Sequence, residues 1–149
     1  MRVSTKGRYG LRAMVDLALH VDRGPVPLKE IAERQGLSES YLEQVFATLR
    51  RVGLVTALRG PMGGYTLGRP AEEICVGEIL RALEGDTAPV YCVERMATRA
   101  RCEREPDCTA REFWLELRDH IDAFLDRTTL RDLAEQARRK SETPPMYYI

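Results

Sequence analysis

The sequence predicts a mainly α protein, with a winged helix-turn-helix DNA-binding domain followed by a long C-terminal dimerisation helix. Between residues 28 and 69, two amphipathic segments separated by a glycine are followed at once by a glycine-rich hairpin. Near the C-terminus, a long segment repeats large apolar residues at helical spacing. Net charge is zero, yet residues 1–69 carry 11 Lys and Arg against 6 Asp and Glu, whereas residues 70–149 carry 12 against 17. A basic front half suits a surface that faces DNA.

The first predicted helix covers TKGRYGLRAMVDLALHV and ends at Gly24-Pro25. Its apolar residues share one broad face, which indicates a core helix. Lys6, Arg8 and Arg12 lie on or near its first turn, where cations oppose the helix dipole. This placement favours an external partner such as a phosphate, and Lys6 is predicted to contact DNA.

The helix-turn-helix is predicted from LKEIAERQ, a turn at Gly36 with positive φ, and a following helix with Ser38 or Ser40 as its N-cap. One face of that following helix is apolar and is predicted to be buried. Its members are Leu42, Val45, Phe46, Leu49 and Val52. The opposite, polar face is predicted to enter the major groove.

The wing is predicted from the strand LVTAL, the turn at residues 59–64 and the strand YTL. Three glycines and one proline in those six residues favour a turn, with Arg59 at its tip. A guanidinium there can enter a minor groove or clamp a phosphate.

DNA contacts are predicted from side-chain chemistry. Base reading is assigned to Ser40, Glu43 and Gln44: Gln44 can pair bidentately with adenine, and Glu43 can accept from cytosine while it repels phosphate. Ser38 and Tyr41 are assigned to the backbone or a base edge. The cations assigned to phosphate and groove contacts are Lys6, Arg50, Arg51 and Arg59.

A short helix is predicted from Val76 to Leu83, with the preceding Cys75 expected to pack in the core. A long helix is predicted from Thr109 to Arg127, and its apolar stripe is expected to pair two copies of the chain. The stripe comprises Phe113, Trp114, Leu117, Ile121, Phe124 and Leu125. A final helix is capped by Thr128 or Thr129. The predicted units are a DNA-binding domain (1–86), a cysteine-bearing sensor loop (87–109) and a dimerisation helix with a tail (110–149).

Three cysteines, Cys92, Cys102 and Cys108, lie in a strongly charged stretch that has almost no large apolar residues. Such thiols favour metal ligation or redox sensing over structural disulfides in a reducing cytoplasm. Their C-x₉-C-x₅-C spacing lacks the short knuckle of a common zinc site, which favours an iron-sulphur cluster over zinc.

Five segments carry a resemblance to a known family: MRVSTKGRYGLRAM, SYLEQVFATLRRVGLV, RGPMGGYTLG, VGEILRALEG and TTLRDLAE. They resemble the bacterial Rrf-two family of winged-helix transcription regulators, with its IscR-like, NsrR-like and CymR-like members. The resemblance implies a homodimer that binds a partly palindromic operator. It also implies an iron-sulphur cluster, either 2Fe-2S or 4Fe-4S, held by metal ligands Cys92, Cys102 and Cys108.

The chain departs from the family pattern at several cluster positions. Family members usually show C-x₅-C-x₅-C, whereas four extra residues separate Cys92 from Cys102 here. Arg111 stands where IscR-like members have a histidine ligand, and Arg8 where NsrR-like members have an aspartate. The fourth ligand is therefore open among Asp107, Glu105, a partner-chain group and an exogenous thiol.

We therefore expect a cytoplasmic, homodimeric DNA-binding repressor that senses iron-sulphur or redox status. No nucleophile-base pair or nucleotide-binding loop suggests an enzyme, and no apolar run predicts a membrane span or a signal peptide. The alternative is a cluster-free CymR-like repressor of cysteine and sulphur metabolism, controlled by a partner enzyme such as cysteine synthase. The LEGDTAPV segment and the TPPMYYI ending favour that alternative by their resemblance to CymR-like members.

Overall fold

Six α-helices, four short 3-10 helices and one two-stranded sheet form the part of the chain that the computed structural model describes, residues 3–95 and 102–142. The helices are α1 (Thr5–His20), α2 (Leu28–Gln35), α3 (Glu39–Arg51), α4 (Val76–Glu84), α5 (Arg111–Arg127) and α6 (Leu130–Glu142). The strands are β1 (Val55–Leu58) and β2 (Gly64–Leu67). The predicted mainly α winged-helix fold is confirmed. The TPPMYYI ending lies outside the described residues.

The core lies where α1, α2, α3 and α4 meet, because each of these helices has one apolar face. Met14, Ile31, Phe46 and Ile79 contribute one fully buried side chain from each helix. The start of α6 closes this core with the buried Leu130. A second, smaller cluster joins α4 to α5 around Leu80 and Leu125.

The turn of the helix-turn-helix forms as predicted. Gly36 adopts φ 65°, a left-handed conformation that an L side chain rarely tolerates. The backbone N–H of Leu37 then donates to the carbonyl of Ala32 at 3.0 Å. Ser38 is the N-cap of α3, with its hydroxyl accepting from the backbone N–H of Tyr41 at 3.2 Å. Of the two N-cap alternatives, Ser38 is therefore the one used.

The wing pairs β1 with β2 in antiparallel register, from Val55 opposite Leu67 to Leu58 opposite Gly64. A third segment joins its edge: the backbone of Val26 exchanges two hydrogen bonds with Tyr65, at 2.9 and 2.8 Å. The connection between α1 and α2 is thus bonded to the second strand of the wing.

Several predicted positions are corrected by the structure. Val52 was predicted to be buried, but it is 56% exposed because α3 ends at Arg51 and Val52 has left the helical face. Cys75 is half-buried rather than packed in the core, since it caps α4 and its thiol approaches Asp126. The long helix begins at Arg111 rather than Thr109.

The apolar stripe of α5 is only partly covered within one chain. Leu125 is the single buried residue of this helix, whereas Phe113 and Phe124 are more than half exposed. At the helix junction, Thr129 caps α6, because its hydroxyl accepts from the backbone N–H of Asp132 at 3.1 Å. Among the described helices, none combines the length and the apolar character that a membrane crossing requires.

Candidate nucleic-acid interface

The outer face of α3 is polar and open to solvent. Glu43 and Gln44 are exposed, and within residues 3–95 and 102–142 neither side chain forms a hydrogen bond or ion pair. Ser40, Arg50 and Arg51 are exposed on the same helix. Side chains that keep their hydrogen-bonding capacity free on a helix of 13 residues can read base edges and bind phosphates.

The inner face of α3 fixes the position of that outer face. Leu42, Phe46 and Leu49 are fully buried. The ring of Phe46 meets the ring of Tyr65 from the wing edge-on, with centroids 4.8 Å apart. This ring contact therefore fixes the position of the wing relative to α3, the two elements predicted to read DNA.

A buried carboxylate ties α1 to the end of α2. Asp16 is 4% exposed and accepts from Arg34 at 2.7 and 3.1 Å and from the Gln35 amide at 2.8 Å. Arg12 in turn donates to the side chain and the backbone carbonyl of Gln35, both at 3.1 Å. The hydrogen bonds that Arg34 donates to Asp16 raise the pKa of Arg34. This network was not predicted from the sequence, although a single acid inside an apolar helix is a signal for it.

Tyr41 differs from the other predicted contact residues. Its hydroxyl is buried and has no hydrogen-bond partner among the described residues, and its ring stands edge-on to Tyr9 with centroids 6.4 Å apart. Burial, followed by the nearby Tyr9 and Glu84, raises the pKa of Tyr41. This environment favours a packing role for Tyr41 between α1 and α3.

The contact between Tyr9 and Tyr41 brings the basic first turns of α1 beside the start of α3. The guanidinium groups of Arg8 and Arg12 lie 5.1 and 5.4 Å from the centre of the Tyr9 ring. Lys6, in the first turn of α1, is half-buried. A cationic surface therefore borders the end of α3 at which Ser38 and Ser40 lie.

The wing presents Arg59 at its turn, where the side chain is exposed. Its two strands are joined across their outer face by the hydroxyls of Thr56 and Thr66 at 2.7 Å. At its base, Arg69 donates to Glu78 of α4 at 2.7 Å. Burial acts to raise the pKa of Glu78, but hydrogen bonds from Arg69 and the Cys75 backbone outweigh it and lower the value.

The three predicted ligand cysteines are free thiols and each is half-buried. The neighbouring Cys102 thiol raises the pKa of Tyr91, with smaller contributions from burial and from Cys92. Two thiols thus lie near one tyrosine. Within the described ranges, however, no three side chains of His, Cys, Asp or Glu are close enough to hold a metal ion together.

Neither expected position for a fourth ligand carries one here. Arg111 is paired with Glu105 at 3.0 Å, so the arginine and one of the alternative ligands neutralise each other. Arg8 points its guanidinium at Tyr9, as described above. The thiol chemistry of the segment fits an iron-sulphur cluster, although the described part of the segment does not bring a ligand set together.

An exposed recognition helix, a basic neighbouring turn and a two-stranded wing together define a winged-helix DNA-binding protein. The Rrf2 family model, described as an iron-dependent transcriptional regulator, matches residues 3–136. The chain therefore belongs to the Rrf2 (Rrf-two) family of transcription regulators, as its motifs predicted. It is a DNA-binding regulator and not an enzyme.

Individual relatives agree with this assignment. The chain is 46% identical over 133 residues to the HTH-type transcriptional regulator IscR of Pectobacterium carotovorum, covering 89% of this chain and 79% of the relative. It is similar in structure to the global cysteine regulator CymR of B. subtilis, with a TM-score of 0.77, 44% identity, and coverage of 91% and 98%. The T. potens IscR structure gives a TM-score of 0.76 at 41% identity, with coverage of 100% and 97%.

Proposed function

We propose that this protein is a homodimeric repressor that binds a partly palindromic operator and senses iron-sulphur or redox status through its cysteine segment. The exposed face of α3, whose Glu43 and Gln44 form no side-chain bonds within the described ranges, carries the DNA-binding part of this proposal. The units of the proposal are those predicted from sequence: residues 1–86 bind DNA, 87–109 sense and 110–149 dimerise.

Base reading falls to Ser40, Glu43 and Gln44, since their side chains are exposed on the outer face of α3. Gln44 can donate to and accept from adenine at once, and Glu43 can accept from cytosine. The backbone contacts of the complex fall to a set of exposed or half-buried groups around this face: Lys6, Ser38, Arg50, Arg51 and Arg59.

A selection from random duplexes, followed by affinity measurement, tests this assignment. Gln44→Ala should lose discrimination at one base pair of each half-site, an effect of about 1–3 kcal/mol. Gln136→Ala is the matched control, because Gln136 is an exposed glutamine on α6, away from α3. Equal discrimination by both variants would contradict the assignment.

The exposed stripe of α5 supports a homodimer. Phe113 is 58% exposed and Phe124 is 55% exposed, and Phe113 stacks edge-on against Trp114 at 4.9 Å. Burying such side chains contributes about 1.5–3 kcal/mol each, so packing against a second copy of the helix would be favourable. Two-fold pairing would present two copies of α3 about 34 Å apart, one turn of DNA.

The cluster would be held by Cys92, Cys102 and Cys108, which are free and share one segment. A bound cluster supplies redox-sensitive, thiolate-ligated iron. Anaerobically purified protein should then be brown, with iron and sulphide in comparable amounts. Cys102→Ala should abolish the colour, whereas Cys75→Ala should keep it, because Cys75 caps α4 outside the segment.

A cluster-free regulator of the CymR type is the second candidate. It is favoured by the absence of a gathered ligand set among the described side chains. A partner enzyme such as cysteine synthase would then supply the control. Colourless protein with full operator affinity, together with binding to such an enzyme, would support this candidate over the first.

A further inference from the structure

The carboxylate of Glu84, the last residue of α4, lies against the N-terminal end of α1. One of its oxygens accepts from the Ser4 hydroxyl at 2.5 Å, from the Gly7 backbone N–H at 2.7 Å and from the Ser4 backbone N–H at 3.2 Å. Ser4 is itself the N-cap of α1 and accepts from the Lys6 backbone N–H at 3.1 Å. A residue 77 positions away in sequence thus completes the cap of this helix.

Gly7 makes room for this contact. It is a buried residue inside α1, and a β-carbon at this position would overlap the carboxylate of Glu84. Glycine inside a helix ordinarily costs about 1 kcal/mol relative to alanine. Its place here is explained by the approach of Glu84, which needs the space that a side chain would fill.

The turn held by Glu84 is the one that carries the basic residues. Lys6 and Arg8 flank Gly7 in the sequence, and Tyr9 packs on Tyr41 at the start of α3. The orientation of this turn therefore sets where two cations stand relative to the recognition helix. None of the DNA contacts predicted from sequence includes Glu84.

We propose that Glu84 is a positioning residue for DNA binding, which holds the first turn of α1 so that Lys6 and Arg8 meet the operator phosphates. This inference rests on the proposed DNA-binding function. The proposal predicts a change in DNA affinity opposite to the change expected from charge alone. Removing an acid beside two cations should strengthen DNA binding if only the local charge matters, because the positive potential rises. If Glu84 positions the turn, its removal should weaken binding.

The experiment compares full-length Glu84→Ala and Glu84→Gln with wild type on the selected operator, over a series of salt concentrations. We expect Glu84→Ala to bind the operator with an affinity at least about fivefold lower than that of wild type. The slope of log affinity against log salt concentration should become shallower by about 0.9 for each phosphate contact that the variant loses. Glu84→Gln keeps an acceptor oxygen and should recover part of the affinity. The exposed Glu73 provides the matched control, and Glu73→Gln should bind like wild type.

Gly7→Ala tests the same interaction from the other side. Alanine should favour the helix by its intrinsic propensity, yet we expect weaker operator binding because the added methyl group displaces Glu84. The effects of Gly7→Ala and Glu84→Ala should not add, since both disrupt the same interaction. Hydrogen exchange of residues 4–9 should accelerate in both variants.

The measurements distinguish a failure of the positioning role from a failure of the proposed function. Operator binding by Glu84→Ala that equals or exceeds that of wild type overturns the positioning role, as does unchanged exchange of residues 4–9, while the proposed function stands. A wild-type protein that selects no operator overturns the proposed function, and the positioning role is lost with it.

Discussion

Replacing Asp16 with alanine should destabilise the native state through the network that joins α1 to α2. The carboxylate is 4% exposed and accepts from Arg34 and Gln35. Hydrogen bonds that involve a charged group contribute about 1.5–3 kcal/mol each. Arg34 keeps a third of its side chain exposed and can regain water after the change, which lowers the cost of losing its partner. We expect a total loss of about 2–4 kcal/mol.

Urea unfolding followed by circular dichroism measures this loss, with all variants at one protein concentration because dimerisation stabilises the native state. In a parallel thermal unfolding experiment on a chain of this size, the melting temperature should fall by about 2–4 °C for each kcal/mol lost from the free energy of unfolding. Glu33→Ala is the control: Glu33 pairs with Lys29 at 4.0 Å on the same helix as Arg34, and both partners are exposed. That variant should lose less than about 0.5 kcal/mol. A loss for Asp16→Ala no larger than for Glu33→Ala would refute the reasoning.

Four further predictions address the interface, the fold and the thiols. Replacing Phe113 and Phe124 with alanine should shift the proposed dimer toward monomer in sedimentation experiments, and an unchanged association constant would argue against the α5 interface. Arg59→Ala should weaken operator binding across sequences and lower the salt slope by about 1 for each phosphate that Arg59 binds, as titrations at several salt concentrations will reveal. Gly36→Ala should cost about 1–2 kcal/mol in urea unfolding because φ is 65°, and a neutral effect would disprove the need for glycine. Burial raises the pKa of the Cys75 thiol, so alkylation at mildly alkaline pH should be slower in native than in urea-unfolded protein; equal rates would contradict this.

The local elements of the fold could be predicted from sequence because their signals are local. Gly36 marks the helix-turn-helix turn, and the apolar residues of α3 repeat at helical spacing up to Leu49. The wing follows from the glycines between its strands. Val52 was misplaced because helical periodicity alone does not show where a helix ends, and α3 ends at Arg51.

The long-range contacts could not be predicted in the same way. Asp16 and Arg34 are 18 positions apart, and Glu84 reaches Gly7 across 77 positions. Nothing in the spacing of these residues indicates the pairing, which depends on how α1, α2 and α4 pack. The same limit applies to Tyr41: its assignment as a DNA contact gave no sign that its hydroxyl would be buried and its ring would stand edge-on to Tyr9.

The bonding of Val26 to Tyr65 has a consequence for how the protein adapts to different target sites. Because β2 is joined both to the chain ahead of α2 and, through Phe46, to α3, the wing and the recognition helix are expected to move as one body. The distance between the major-groove contacts of α3 and the contacts of the wing is then fixed within each subunit. Targets whose half-sites differ in separation would have to be accommodated by a change in the angle between subunits or by bending of the duplex.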